Sequence, residues 1–209
     1  MKKTPLMMII NPAAGKGKYI NGLPEAIKLL SDAGYCVTVY FTEARGHATE
    51  LAAEHGAEYE KLIVLGGDGT LAEVIAGLMR LPRRPQVGYI PIGTANDIAR
   101  TLGLPKNDIE LGTRRFLRGT PMPFDTGLRN GGCFNYVAAF GAFTEVSYKT
   151  PQTAKRSLGE AAYLIGAVKA IGSLGSRHVR VEYDDGVIEG DFLYGGLSNS
   201  YSVGGIIDL

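Results

Sequence analysis

The chain has 209 residues, 45% of them hydrophobic and 21% charged, the composition of an ordinary globular protein, with 29 glycines that imply many turns. Its 22 Lys plus Arg against 21 Asp plus Glu leave a net charge of +1, which argues against nucleic acid as a partner. Cys36 and Cys133 stand alone, so neither a disulfide nor a zinc site is expected, and no tract approaches the roughly 20 apolar residues of a membrane span.

The opening MKKTPLMMII sets two lysines before an apolar run about half as long as a secretory signal needs, so the chain reads as cytoplasmic. LMMII at 6–10 predicts a strand, NPAAGKGK a loop, and LPEAIKLLSDAG a helix stopped by Gly34. YCVTVYFT is the next strand and GHATELAAEHG an alanine-rich helix. KLIVL, TLAEVIAGLMR, QVGYIPI and ANDIARTLG then read as strand, helix, strand and helix. Four such alternations predict an α/β domain: a parallel sheet with helices on both faces, binding ligands beyond the carboxyl ends of its strands. After Gly119 the rhythm changes. PMPFDTGL, CFNYVAAFG, SRHVRVEYDD and VIEGDFLYGGLS read as strands joined by turns such as NGG at 130–132 and DDG at 184–186, with one helical insert at 158–172. The expected organisation is an α/β domain over 1–122 and a largely antiparallel domain over 123–209.

The four strand-to-helix loops of the first domain are NPAAGKG, TEARGHA, GGDGT and PIGTAND, each furnished with Gly, Thr, Asn or Asp as a nucleotide cleft requires. In GGDGT, Gly66, Gly67 and Gly69 leave the backbone open to approach, and the helix behind offers unpaired N–H groups at the positive end of its dipole. Thr70 with Glu73 also spells a capping box, so these residues taken alone read equally as a plain turn. NPAAGKG fits neither a Walker A loop nor a dinucleotide fingerprint. Asn11 reads as a ligand contact or a turn cap, and Lys16 as a phosphate attractor or a solvated lysine. Asp68 and Asp97 are carboxylates placed near a bound triphosphate, and their repulsion from phosphate implies Mg²⁺ between them. Asp125 in FDTG is a third metal candidate or a turn former. His47 borders the same loops, whereas His55 and His178 read as surface residues. Asp68 is expected to be exposed in its glycine loop, so that its substitution changes folding little.

Taken together, NPAAGKG at 11–17, TEARGHATELA at 42–52, GGDGTLAEVIAGL at 66–78, PIGTANDIAR at 91–100, FDTG at 124–127 and TEVSYKTPQTAKRSLGEAAYL at 144–164 resemble the bacterial diacylglycerol kinases, part of a wider lipid kinase group. GGDGT alone is shared with NAD kinases and phosphofructokinases; PIGTANDIAR beside NPAAGKG favours a lipid kinase. The resemblance implies an α/β domain of the NAD kinase/phosphofructokinase kind followed by an antiparallel β-sandwich substrate domain. ATP and Mg²⁺ would bind in the cleft between them, with phosphoryl transfer to diacylglycerol or a related lipid at a membrane surface. It implies nucleotide contacts from Asn11, Thr42 and Gly66 to Thr70, a site completed by Glu73 and Thr94, and magnesium organised by Asp68 and Asp97.

Two departures from the family pattern matter. Ala72 stands where members commonly carry Asn, and the late acidic residue taken as the family's general base has no counterpart before Leu209. The sandwich is therefore expected to be incomplete and the fragment inactive alone, with an open sheet edge that invites a homodimer. The alternative readings are an NAD kinase-like small-molecule kinase and a nucleotide-binding module without catalysis. Arg114, Arg115 and Arg118 read as a solvated helix face, and Lys149, Lys155 and Arg156 as cations that meet anionic lipid.

Overall fold

The computed structural model describes residues 3–17, 19–141, 175–199, 202–203 and 207–208. They divide into two compact units, Met1–Tyr136 with Asn199–Leu209, and Val137–Ser198. The predicted insert at 158–172 and Lys149, Lys155 and Arg156 lie outside the described residues.

In the first unit strands and helices alternate: β1 (Thr4–Ile10), α1 (Tyr19–Asp32), β2 (Tyr35–Phe41), α2 (His47–His55), β3 (Lys61–Gly66), α3 (Asp68–Leu78), β4 (Gln86–Pro91), α4 (Asp97–Thr101) and α5 (Ile109–Arg118). The four strands are parallel in the order β2-β1-β3-β4. Leu6 to Ile10 and Leu62 to Leu65 are fully buried because both faces of the central strands are covered. Met7, Ile9, Leu62 and Val64 face Leu51, Leu71, Val74 and Leu78 of α2 and α3. Leu6, Met8, Ile10, Ile63 and Leu65 face Ala26, Leu30 and Ile109 of α1 and α5. Each such side chain contributes about 1.5–3 kcal/mol by leaving water, so the continuous apolar strands are the main source of stability. Gly77 lets α3 close on α2, where a Cβ would collide with the Thr49 carbonyl, and the Thr49 hydroxyl donates to the Glu73 carbonyl at 2.9 Å.

Several boundaries differ from those read in the sequence. α3 begins at Asp68 with Gly67 as its cap, so Thr70 lies inside the first turn and the Thr70–Glu73 capping box is not formed. α1 starts a turn earlier than Leu23 and carries Pro24 within it; Gly22 packs so closely on Ile109 that a Cβ would come within 2.9 Å. α4 is only five residues long. Arg114 pairs with Glu110 at 2.8 Å and Arg115 donates to the Gly103 carbonyl at 3.3 Å, along α5.

The rest of the described chain forms antiparallel ladders. β5 (Gly127–Arg129) pairs with β6 (Gly132–Phe134) around the predicted NGG turn. PMPFDTG, predicted as strand, pairs only from Gly127 onward; Pro121 and Pro123 have no N–H to offer a ladder. In the second unit, β7 (Val137–Gly141), β8 (Arg177–Tyr183), β9 (Gly186–Phe192) and β10 (Tyr194–Ser198) pair as β7 with β10 and β8 with β9, the latter around the predicted DDG turn. His178 is exposed there and bridges Asp191 at 3.1 Å and Glu189 at 3.3 Å. β11 (Ser202–Val203) and β12 (Ile207–Asp208) close the first unit.

Candidate functional site

The strand order places the site. From β1 the chain crosses to β2 on one side, and from there to β3 on the other side of β1. α1 and α3 therefore leave the carboxyl ends of adjacent strands toward opposite faces, which opens a crevice for ligand.

Three glycine-bearing loops meet there. Asn11, just past β1, donates from Nδ2 to Thr70 Oγ1 at 2.9 Å, and its Oδ1 accepts the Ala13 N–H at 3.0 Å. The amide therefore serves as the turn cap and ties the first loop to α3, with one N–H and one lone pair left over. Gly15, at φ 60°, runs so close to β4 that a Cβ would lie 2.5 Å from the Ile92 carbonyl oxygen. Gly67 and Gly93 sit back to back: a Cβ on Gly93 would come within 2.6 Å of Gly67 Cα and 2.6 Å of Asn96 Oδ1. Thr42 is buried at the end of β2, where its N–H donates to the Ile10 carbonyl at 2.9 Å.

Asp68 and Asp97 are brought together. Asp68 Oδ2 accepts the Asp97 N–H at 3.0 Å and Oδ1 accepts the Ile98 N–H at 3.2 Å, so the first residue of α3 caps α4. This corrects the expectation of an exposed carboxylate with no structural duty: Asp68 is half-buried and tied by both oxygens. Burial raises the Asp97 carboxyl above its ordinary value and the Asp68 charge raises it further, while Arg100 and Lys106 pull it back. Tyr89 lies beneath the pair, its phenol held protonated by burial and by the Asp68 and Asp97 charges.

Because Asp97 titrates higher when folded, its contribution to stability is complete below an unfolded value of about 3.9 and lost as pH rises through the raised one. Asp97→Asn, neutral throughout, is therefore expected to melt higher than the unaltered chain at pH 7. Below about pH 4 the gain should vanish. Thermal melts of both proteins at the two pH values check this; an equal loss at both would show that the carboxylate holds the fold.

Asn96 carries a role the sequence reading missed. It is 1% exposed and left-handed at φ 55°, donates from Nδ2 to the Gly93 carbonyl at 2.7 Å and accepts from the Tyr89 hydroxyl at 3.3 Å. It locks the PIGTAND loop onto itself and onto β4, through Gly93 and Tyr89. The signal was present, since asparagine readily takes left-handed backbone and this one directly precedes Asp97.

Other predicted residues fall elsewhere. Thr94 is exposed on the β4–α4 loop, and Glu73 is half-buried in the second turn of α3. His47 Nδ1 accepts the Glu43 N–H at 3.1 Å and so shapes its own turn. The Lys16 side chain lies outside what is described. Asp125 is exposed, with its carbonyl held by Asn199 Nδ2 at 2.6 Å. Among the described residues no three acidic, His or Cys side chains gather as a metal cage. A cavity of about 390 Å³ lined by Tyr59, Glu60, Lys61, Arg83, Arg84 and Gln86 lies at the amino ends of β3 and β4 and contains none of the residues predicted for the site.

A family model described as the diacylglycerol kinase catalytic domain matches residues 5–128, which include all three loops. The chain belongs to this family. It is 36% identical over 199 residues to a diacylglycerol kinase of Bacillus subtilis (strain 168), covering 95% of this chain and 66% of the relative. It is 41% identical over 198 residues to one of Staphylococcus epidermidis, covering 92% and 62%. The chain thus spans less than two thirds of these curated relatives. A crystal structure of a diacylglycerol kinase from Bacillus anthracis str. Sterne shares the architecture at TM-score 0.73 and 29% identity, covering 99% of this chain and 68% of that one. A second from the same source reaches 0.79 at 30% identity. Among the described residues no helix is long and apolar enough to cross a membrane.

Proposed function

We propose that this chain carries the nucleotide site of an ATP- and Mg²⁺-dependent lipid kinase, which transfers the γ-phosphoryl group to the hydroxyl of diacylglycerol or a related lipid at a membrane surface. The observation that carries the reading is the joining of three glycine-bearing loops at the strand-order reversal, with Asp68 and Asp97 pinned beside them. In this reading residues 1–122 are the nucleotide domain and 123–209 belong to the substrate domain. The phosphates lie over Gly66 to Thr70, bordered by Asn11, Thr42, Glu73 and Thr94.

The donor set suits magnesium. Mg²⁺ takes hard oxygen ligands, keeps several waters, and is held by one or two carboxylates plus substrate phosphates, so a pair of aspartates is enough. When bound, it supplies positive charge to a phosphoryl group that passes through a loose transition state. The protein's own part is positioning: Asp68 fixes α4 against α3, Asn96 fixes the β4–α4 loop, and the open glycines admit the nucleotide.

Gly69 offers the sharpest test. It lies in the first turn of α3, and a Cβ there would meet nothing within 4 Å. Gly69→Ala should therefore raise helix stability by about 0.4–1 kcal/mol. If phosphates occupy that open space, the same methyl group should weaken ATP binding about tenfold or more, since overpacking costs about 1–3 kcal/mol. A higher melting temperature with unchanged ATP affinity would sink the placement. Labelled ATP offered with diacylglycerol vesicles or with NAD separates the lipid kinase from the NAD kinase reading by which acceptor gains phosphate.

A further inference from the structure

We propose that Lys106 is a phosphate-binding residue of this nucleotide site, supplying a cation from outside the glycine-rich motifs; the inference rests on the nucleotide reading above. Lys106 sits in GLPKND at 103–108, between α4 and α5. Its turn is built rather than loose. Gly103 and Asn107 are both left-handed, at φ 61° and 59°, and the Asn107 N–H donates to the carbonyl of Pro91, the last residue of β4, at 2.9 Å. One residue on, Asp108 caps α5 by accepting the Leu111 N–H at 2.9 Å. The turn is thus fastened to the sheet at one point and to a helix at the next.

From there Lys106 reaches the β4–α4 loop and donates from Nζ to the Ala95 carbonyl at 2.9 Å, between Thr94 and Asn96. Its charge is felt by Asp97, two residues beyond Ala95. An ammonium group has three donors, and the Ala95 carbonyl takes one. Local charge gives the other two a use. Asp68, Asp97 and Glu73 are all acidic, and a nucleotide brings several more negative charges to the same loops. Lysine meets phosphate as a point charge, and here its position is fixed by Pro91, Ala95 and α5 together.

The experiment is titration calorimetry of the full chain with ATP, ADP and adenosine at fixed Mg²⁺, with melting curves to verify folding. Lys106→Gln is expected to weaken ATP binding about tenfold, the loss of one charge-assisted hydrogen bond. ADP should lose less, adenosine nothing, and the salt dependence of ATP binding should flatten. Lys106→Arg should keep most of the affinity. An equal loss for adenosine would overturn the proposal and reduce Lys106 to a strut that holds the loop through Ala95. Unchanged ATP affinity in Lys106→Gln would overturn it as well, leaving the nucleotide reading intact. Failure of the unaltered chain to bind any nucleotide would instead overturn the nucleotide reading, and this assignment with it.

Discussion

Assayed in the full reading frame, Asp68→Asn is expected to abolish most phosphoryl transfer and to lower stability as well, because one side chain holds two positions. Its oxygens accept the Asp97 and Ile98 N–H groups at 3.0 and 3.2 Å. Asparagine keeps one acceptor oxygen, loses the charge, and turns an NH₂ toward the other donor, so one backbone N–H at the start of α4 is left facing a donor. The loss of a charge-assisted bond should lower stability by about 1–2 kcal/mol, or about 3–6 °C in melting temperature for a chain of this size. Turnover should fall on the order of 100-fold or more, because the carboxylate proposed to balance the metal beside the transferred phosphoryl group is gone. The two effects are separable. Activity is measured well below the melting temperature and extrapolated to full folding, so a residual loss belongs to the site and a recovered rate to the fold. Normal turnover with a lowered melting point would leave Asp68 as the helix cap alone.

Gly93→Ala is expected to be far more damaging than Gly67→Ala, although the two glycines face each other. The added Cβ would stand 2.6 Å from Gly67 Cα, which is backbone and cannot swing away, and 2.6 Å from Asn96 Oδ1. The loops carrying Asp68 and Asp97 must then part, and the bond from Asn96 Nδ2 to the Gly93 carbonyl is strained with them. Overpacking of this kind costs about 1–3 kcal/mol, or about 3–10 °C. ATP affinity should drop more than tenfold, since separating the loops moves phosphate donors by a fraction of an ångström or more. Gly67→Ala supplies the control. Its Cβ would meet Gly93 Cα only at 3.4 Å and Asn96 Oδ1 at 3.8 Å, with φ −101° that any residue accepts. Melting curves and ATP titrations of both variants decide the matter: equal damage from the two would show that the close approach at Gly93 is not what sets the loop geometry.

The asymmetry between these glycines marks where sequence reading stops. That GGDGT and PIGTAND are rich in small residues is plain from the letters, but Gly69 opens to empty space whereas Gly93 touches the backbone of Gly67. No local pattern distinguishes an open glycine from a packed one. Similar reasoning applies to Thr70, which periodicity and spacing assign to a capping box. The fold instead starts α3 two residues earlier and gives the hydroxyl to Asn11, 59 residues away in sequence.

By itself the sequence determined the four-stranded parallel sheet and its covering helices, because a strand buried on both faces must be an unbroken apolar run, and LMMII and LIVL are such runs. It also determined which loops lie along the carboxyl edge, since strict strand–helix alternation leaves them no other place. Only the tertiary structure decided which residues of those loops meet. The bonds from Asp68 to the 97 and 98 N–H groups cross 29 and 30 residues, and the seat of Lys106 against Ala95 depends on where α5 leaves the sheet. Such contacts follow from the order β2-β1-β3-β4 and from the spacing of neighbouring strands. Hydrophobic periodicity reports which face a residue buries; it carries no information about which strand lies next to which.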